Sequence, residues 1–275
     1  SAEVTVTATG VATETDEAPT SVTVISRQEL DDAQAATVAE MLRRVPGLTV
    51  AGSGDEGKQT SVFTRGTSSN QTLVMLDGVR LNSPYFGGLD WSQLSASGLE
   101  RIESVRGPYS ALWGADAVGG VVNLISRRSR SGLDLRAVGE AGSDGWRRLE
   151  AGVGWAEGAF DLDLSAFDLA GDGSLENGDF SNRQLLASAG WSFGNRGSRV
   201  GVLVQDLETE TGIPFASPGL PTSERRQKGE QVLLALPVSI WLGDSWHLEL
   251  MASHRDGSFD FSDLSEPPFS VSVTD

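Results

Sequence analysis

The stretch Gly52–Gly57 reads GSGDEG, which has the G-x-G-x-x-G spacing of a dinucleotide-binding loop, with Asp77 lying 20 residues beyond its last glycine. That chemistry needs the glycines to open a helix whose N-terminus holds the pyrophosphate. Here they lead into Ser61–Thr64, a run that predicts a strand, so nucleotide binding is not expected. Asp172, Glu176 and Asp179 share one loop. Clustered carboxylates can bind Ca2+ through oxygen, although Asn177–Gly178 between them also reads as a plain turn in a solvated acidic loop. Arg65 and Arg106 each precede a glycine, and a guanidinium can pair bidentately with a carboxylate. Glu100 and Glu103 are expected partners, as are acids on the inner face of the later strands, in a structural rather than catalytic role. His247 and His254, the only histidines, lie seven residues apart on one predicted strand and point to opposite faces, so they cannot share a metal. No paired-carboxylate or nucleophile constellation stands out, and an enzyme is not expected.

Asn82–Trp91 (NSPYFGGLDW) sets Tyr85, Phe86 and Trp91 among turn residues. Aromatic faces beside polar groups can grip an amphipathic ligand. The competing reading packs the same rings against the protein's own wall.

These residues need elements to hold them. Ser26 with Glu29 and Thr37 with Glu40 have capping-box spacing, and the second box opens a helix over Val38–Val45 that Pro46–Gly47 stops. Short strands are predicted at Val22–Ile25, Leu48–Ala51, Ser61–Thr64, Thr72–Leu76, Val79–Leu81, Arg101–Val105 and Val121–Ile125. Asp77–Gly78 between two of them is a strong hairpin signal. Pro108 starts a short helix through Trp113, ended by Gly114. Residues 1–20 show no periodicity that could bury a face and are expected to be a flexible tail.

From about Leu133 the pattern changes to alternating segments. Leu149, Ala151, Val153 and Trp155 oppose Arg148, Glu150, Gly152 and Gly154; Phe160, Leu162, Leu164 and Ala166 oppose Asp161, Asp163 and Ser165. Similar alternation runs through Leu185–Phe193 and Trp246–Ala252. Short turns alternate with long connections at Ala170–Asn182 and Thr211–Glu230, the outer-membrane barrel pattern. Trp155, Trp191, Trp241 and Trp246 near strand ends suit an aromatic girdle. About seven strands are expected, with an eighth beginning near Phe259. A soluble sandwich would alternate in the same way with its apolar face inward, and alternation by itself does not choose.

Composition bounds the reading. The 275 residues contain 33 glycines and no cysteine, which excludes disulfides and thiolate metal sites. No run of about 18 apolar residues exists, so no transmembrane helix is expected, and the mean hydropathy of −0.17 is compatible with strands that need only alternate. The net charge of −17 argues against nucleic acid as a partner. The opening SAEVTVTATG lacks the charged and apolar regions of a signal peptide and reads as a mature N-terminus.

VAEMLRRVPGLTV, FTRGTSSNQTLVMLDGVRLN and IESVRGPYSALWGADAVGGVVNLISRR resemble the plug signatures of TonB-dependent outer-membrane receptors, with wording and spacing nearest the cobalamin branch. The tail segment Glu3, Val4, Thr5, Val6, Thr7 and Ala8 (EVTVTA) resembles the TonB box. The resemblance implies an α+β plug domain over residues 21–130, after the tail, followed over 131–275 by antiparallel strands of a transmembrane β-barrel. The family barrel has 22 strands, so the chain is expected to be a fragment of it. It further implies an outer-membrane location with the tail in the periplasm, TonB and its inner-membrane energising partners as partners, and contact with outer-membrane lipid. Ser53, Asp55, Gln59, Asn82, Tyr85, Phe86, Asp90 and Trp91 match plug positions that face substrate. Asp172, Glu176 and Asp179 fall in the loop where cobalamin receptors hold calcium, though the acidic cluster here is sparser; no other cofactor is expected. Active transport of cobalamin or a related corrinoid leads. A ferric siderophore or haem receptor is the alternative, and a truncated, non-transporting binding module is the alternative of a different class.

Overall fold

The structure is a computed structural model that describes residues 4–5, 13–14, 21–83, 87–217, 220–222, 224–243, 245–264 and 268–274. Glu3, Val6, Thr7, Ala8, Tyr85 and Phe86 lie outside the described residues. Within the tail, β1 (Val4–Thr5) pairs antiparallel with β2 (Thr13–Glu14), where no structure was expected. The chain divides into two units, one of Ser1–Ser53 with Gln59–Arg127 and one of Gly54–Lys58 with Arg128–Asp275.

The first unit contains β3 (Ser21–Ser26), β4 (Leu48–Gly52), β5 (Thr60–Thr64), β6 (Thr72–Leu76), β7 (Val79–Arg80), β8 (Leu99–Arg106) and β9 (Gly120–Ser126). Five of these form one sheet in the order β3-β8-β9-β6-β7, and β4 pairs separately with β5. β6 and β9 run parallel; the other pairs are antiparallel. Every residue of β6 is buried, as a continuous apolar run covered on both faces should be. Asp77 and Gly78 both take positive φ, +48° and +87°, which is the tight turn that Asp-Gly supplies to a two-residue hairpin.

Both capping boxes open helices. In α1 (Arg27–Ala33) the Ser26 hydroxyl accepts from Glu29 N and the Glu29 carboxylate accepts from Ser26 N at 2.8 Å. In α2 (Val38–Leu42) Thr37 caps Glu40 N, and the Glu40 carboxylate accepts from the Thr37 hydroxyl at 3.2 Å and from Ala36 N at 3.1 Å rather than from the cap's own backbone N–H. α2 ends earlier than Val45 because Arg44 and Val45 tighten onto Met41 and Leu42 through i→i−3 bonds. Val38, Met41, Leu42 and Val45 are buried, so the predicted face is the buried face. A short α3 (Ser110–Trp113) stops at Gly114, whose φ is +87°.

The second unit is one eight-stranded antiparallel sheet, with two short strands beside it. The sheet runs β10 (Gly132–Ala141), β11 (Arg147–Glu157), β12 (Phe160–Gly171), β13 (Phe180–Phe193), β14 (Ser198–Gly212), then β17 (Arg225–Leu242), β18 (Trp246–Asp263) and β19 (Phe269–Thr274). The small hairpin of β15 (Phe215–Ser217) and β16 (Leu220–Pro221) fills the connection after β14. Phe259 therefore lies inside the seventh long strand, and the eighth begins ten residues later at Phe269.

Exposure decides between sandwich and membrane sheet. Leu162 and Leu164 are 42% and 37% exposed, whereas Asp163 and Ser165 beside them are 3% and 4% exposed. The apolar face is the outward one, as in a lipid-facing strand. The opposite face is stitched by cross-strand ion pairs, with Arg136 Nη2 to Asp163 Oδ1 at 2.8 Å and Arg199 Nη2 to Asp161 Oδ1 at 2.6 Å. Trp155, Trp191 and Trp246 lie on the outward face, and Phe160 stacks on Trp191 across β12 and β13 at 6.5 Å. Trp241 does not join that girdle. Its parity places it opposite His247 on the other face, where the two rings stack at 4.4 Å. His254 pairs with Leu234 and so stands on the outward face, confirming that the two histidines point apart.

Candidate functional site

Ser53 and Gln59 bracket the glycine-rich loop, both exposed, with Ser53 N donating to Gln59 O at 2.9 Å. Between them Gly54–Lys58 belongs with the strand unit. Asp55 accepts from the Ser174 hydroxyl, and Glu56 accepts from Trp146 Nε1 at 2.6 Å. Gly57 holds φ +77° with its α-carbon so near Phe180 that an added Cβ would stand 2.2 Å from the ring. The glycine is needed on both counts.

Lys58 is the residue that the sequence reasoning missed. It is 7% exposed, and its Nζ donates to Gly178 O at 2.6 Å, Gly212 O at 2.8 Å, Thr211 Oγ1 at 3.0 Å and Asp179 O at 3.3 Å. Burial pushes the ammonium below the usual lysine range, while the Asp179 and Asp55 carboxylates draw it back up. A signal was available: the chain holds two lysines against 19 arginines, and one of the two stands in a glycine-rich acidic loop.

The second expected ligand segment is organised from inside. The Asn82 side chain is buried; it accepts from Val74 N at 2.7 Å and donates to Thr72 O at 3.1 Å and Gly87 O at 3.2 Å. Asp90 Oδ1 accepts from Thr60 N at 2.9 Å, Ser92 N at 3.0 Å and Ser92 Oγ at 2.7 Å. Burial raises the Asp90 carboxyl above the usual range, against the lowering effect of those bonds. Trp91 is 1% exposed. Asn82, Asp90 and Trp91 thus shape the loop from beneath instead of presenting side chains to solvent, because their hydrogen bonds and rings are used in packing the first unit.

The three loop carboxylates are not brought together. Asp172 leans on Gly145, Glu176 is exposed, and Asp179 forms a forked pair with Arg226, Oδ2 to Nη2 at 2.7 Å and Oδ1 to Nη1 at 3.2 Å. Hydrogen bonds from Arg226 hold the Asp179 carboxyl below its usual range. Among the described residues no group of three or more His, Cys, Asp and Glu is placed to hold a metal ion. Arg106 also departs from expectation: it donates to the Ser21, Pro46 and Thr23 oxygens, and Glu103 pairs with Arg101 at 2.7 Å. The guanidinium fork reaches two carbonyls, of Ser21 and Pro46, and the Thr23 hydroxyl at once.

Residues 14–121 match the TonB-dependent Receptor Plug Domain. Over 251 residues the chain is 32% identical to the vitamin B12 transporter BtuB of Photobacterium profundum, covering 91% of this chain and 35% of that protein. The chain belongs to the TonB-dependent receptor family. The receptor is also 36% identical over 182 residues to the vitamin B12 transporter BtuB of Vibrio vulnificus, covering 63% of this chain and 30% of that protein. It spans about a third of the length of these curated relatives. Its fold matches the siderophore receptor PiuA from Acinetobacter baumannii, with a TM-score of 0.74 at 24% identity over 91% of this chain and 38% of the other. It also matches the ferric yersiniabactin uptake receptor FyuA from Yersinia pestis, with a TM-score of 0.72 at 18% identity over 89% and 42%. A plug followed by outward-apolar antiparallel strands makes this receptor an outer-membrane protein of the Gram-negative type.

Proposed function

We propose that the receptor takes part in TonB-dependent uptake of a corrinoid, cobalamin or a close relative, across the outer membrane. The observation that carries this reading is the 32% identity to a vitamin B12 transporter through both the plug and the strands. The likeness to siderophore receptors is one of fold at lower identity, and it keeps ferric siderophores as the next class to try.

In this reading the exposed loop flanked by Ser53 and Gln59 meets ligand, together with the Asn82–Trp91 segment. Asp55 contributes through the loop it anchors. The tail segment Glu3–Ala8 engages TonB by adding a strand to its sheet edge. Val4–Thr5 is paired with Thr13–Glu14 over two residues only, and so short a pairing is readily exchanged for a partner's edge. TonB, energised through its inner-membrane partners, then supplies the work that a plugged pore lacks. Calcium enters only if Asp179 leaves Arg226 to join Asp172 and Glu176.

Equilibrium binding of cyanocobalamin to the detergent-solubilised, full-length receptor tests this, first with calcium and then with chelator. Submicromolar binding is expected. No binding in either condition would sink the corrinoid reading and bring ferric siderophores forward; weakening on chelation would assign a role to Asp172, Glu176 and Asp179.

A further inference from the structure

Four consecutive residues, Asp55 to Lys58, each meet a different part of the strand unit. Their partners are Ser174, Trp146, Phe180 and the oxygen cluster at residues 178–179 and 211–212. That cluster is built from two places distant in the chain. Gly178 and Asp179 precede β13, while Thr211 and Gly212 end β14. The two are joined to each other by Gly212 N donating to Asp179 O at 2.9 Å. The result is a cup of three carbonyls and one hydroxyl, all aimed at one point.

An ammonium suits such a cup better than a guanidinium does. Its three donors radiate from a single compact atom, whereas the arginine fork lies in a plane. This accounts for a lysine in a chain that otherwise uses arginine almost throughout. The four oxygens of the cup are uncharged, and the neighbouring Asp179 carboxylate forks onto Arg226. Dipoles therefore do much of the work of holding the charge, and the Asp179 and Asp55 carboxylates add their attraction. Leaving the cup empty would take the charged donor away from the buried Gly178 O and Gly212 O.

We propose that Lys58 is a positioning residue, a clasp whose ammonium fixes the loop Gly54–Lys58 in one shape and so sets the spacing of the ligand-facing Ser53 and Gln59 at its ends. The part of this that concerns ligand rests on the function proposed above. The clasp itself does not.

The test uses the full-length receptor in detergent. Lys58→Met keeps the stem and removes every donor, and Lys58→Arg keeps the charge but fans the donors in a plane. Hydrogen exchange is followed at the amides of Lys58, Gly178 and Gly212, which are bonded to Asp55 O, Leu175 O and Asp179 O. Exchange there should quicken about tenfold or more in Lys58→Met and by less in Lys58→Arg, the scale of one lost charged hydrogen bond. Amides of β6 and β9, which report whether the first unit is folded, should not change. In Lys58→Ala, added n-propylammonium should restore slow exchange, and tetramethylammonium, which has no N–H donor, should not. Unchanged exchange in Lys58→Met, or equal rescue by both cations, would overturn the clasp. Cyanocobalamin affinity should fall about tenfold in Lys58→Met, in step with the loss of loop order. Altered exchange with wild-type affinity would overturn its role in positioning the ligand loop. Altered exchange in a receptor whose wild type does not bind cyanocobalamin would leave the clasp standing and remove the corrinoid reading alone.

Discussion

The Asp90 carboxylate accepts the backbone N–H of Thr60 at 2.9 Å, joining the start of β5 to the loop that follows residue 82. The same oxygen takes two more bonds from Ser92. Replacing Asp90 with Ala leaves these part-buried donors without their acceptor and should lower the stability of the first unit by about 1–3 kcal/mol. Asp90→Asn keeps a carbonyl oxygen in place and should cost much less. Because burial raises the folded carboxyl, the folded state holds its proton more tightly than the unfolded chain does. Stability should therefore decline as pH climbs from the usual aspartate value of about 3.9 through the raised one. Denaturant unfolding as a function of pH should show this slope in wild type and lose it in Asp90→Asn. An identical slope in the variant would contradict the assignment.

Arg106 ties Ser21, Thr23 and Pro46 together from β8. Lysine cannot hold three separate acceptors with a planar fork, so Arg106→Lys should destabilise the first unit by about 1–3 kcal/mol despite keeping the charge. Urea midpoints of the two proteins measure it. Equal midpoints would mean the fork is idle.

Leu164 lies in the outward apolar band of β12, next to inward Asp163. Leu164→Arg puts a charge where lipid is expected and should cost about 2–4 kcal/mol at mid-bilayer depth. Asp163→Asn, on the other face, should be far milder. The check is the folded fraction of the full-length receptor in outer membranes, read from heat-modifiable gel mobility. If both variants assemble as well as wild type, the band does not face lipid.

Deleting Glu3–Ala8 should abolish uptake while leaving ligand affinity unchanged, because a strand that adds to TonB has no part in the loop that meets ligand. Parallel uptake and binding measurements on the deletion separate the two. Loss of binding would contradict the tail's assignment.

Much of the fold is legible residue by residue. The reciprocal Ser26–Glu29 cap, the Asp77–Gly78 hairpin and the alternation Leu162–Ser165 are all local, and local patterns report local structure. What escapes is what depends on distant partners. The glycine-rich acidic loop singles out Lys58, but it does not reveal the cup assembled 120 to 154 residues later. Trp91 looks like a ligand aromatic until tertiary packing buries it, and Trp241 looks like a girdle residue until strand parity turns it away. The strands also outrun their prediction: β17 and β18 reach 18 residues each. Alternation is enforced only where one face meets lipid, so segments such as Arg225–Gly229, polar on both faces, carry no readable period.

β9 stands between β8 and β6 in the middle of the five-stranded sheet, yet it is the last of those strands in the chain. Without it β3-β8 and β6-β7 are two separate antiparallel pairs with no common edge. The first unit therefore has no partial version to settle into as it is synthesised from the N-terminus. Thr72 must wait for Gly120 before the parallel pairing can begin. Closing so long a loop is entropically uphill until the final strand docks, which places this unit among the slow, late-committing folders. A nascent chain ending before residue 120 should remain a substrate for chaperones and proteases, and one that has passed Ser126 should escape them.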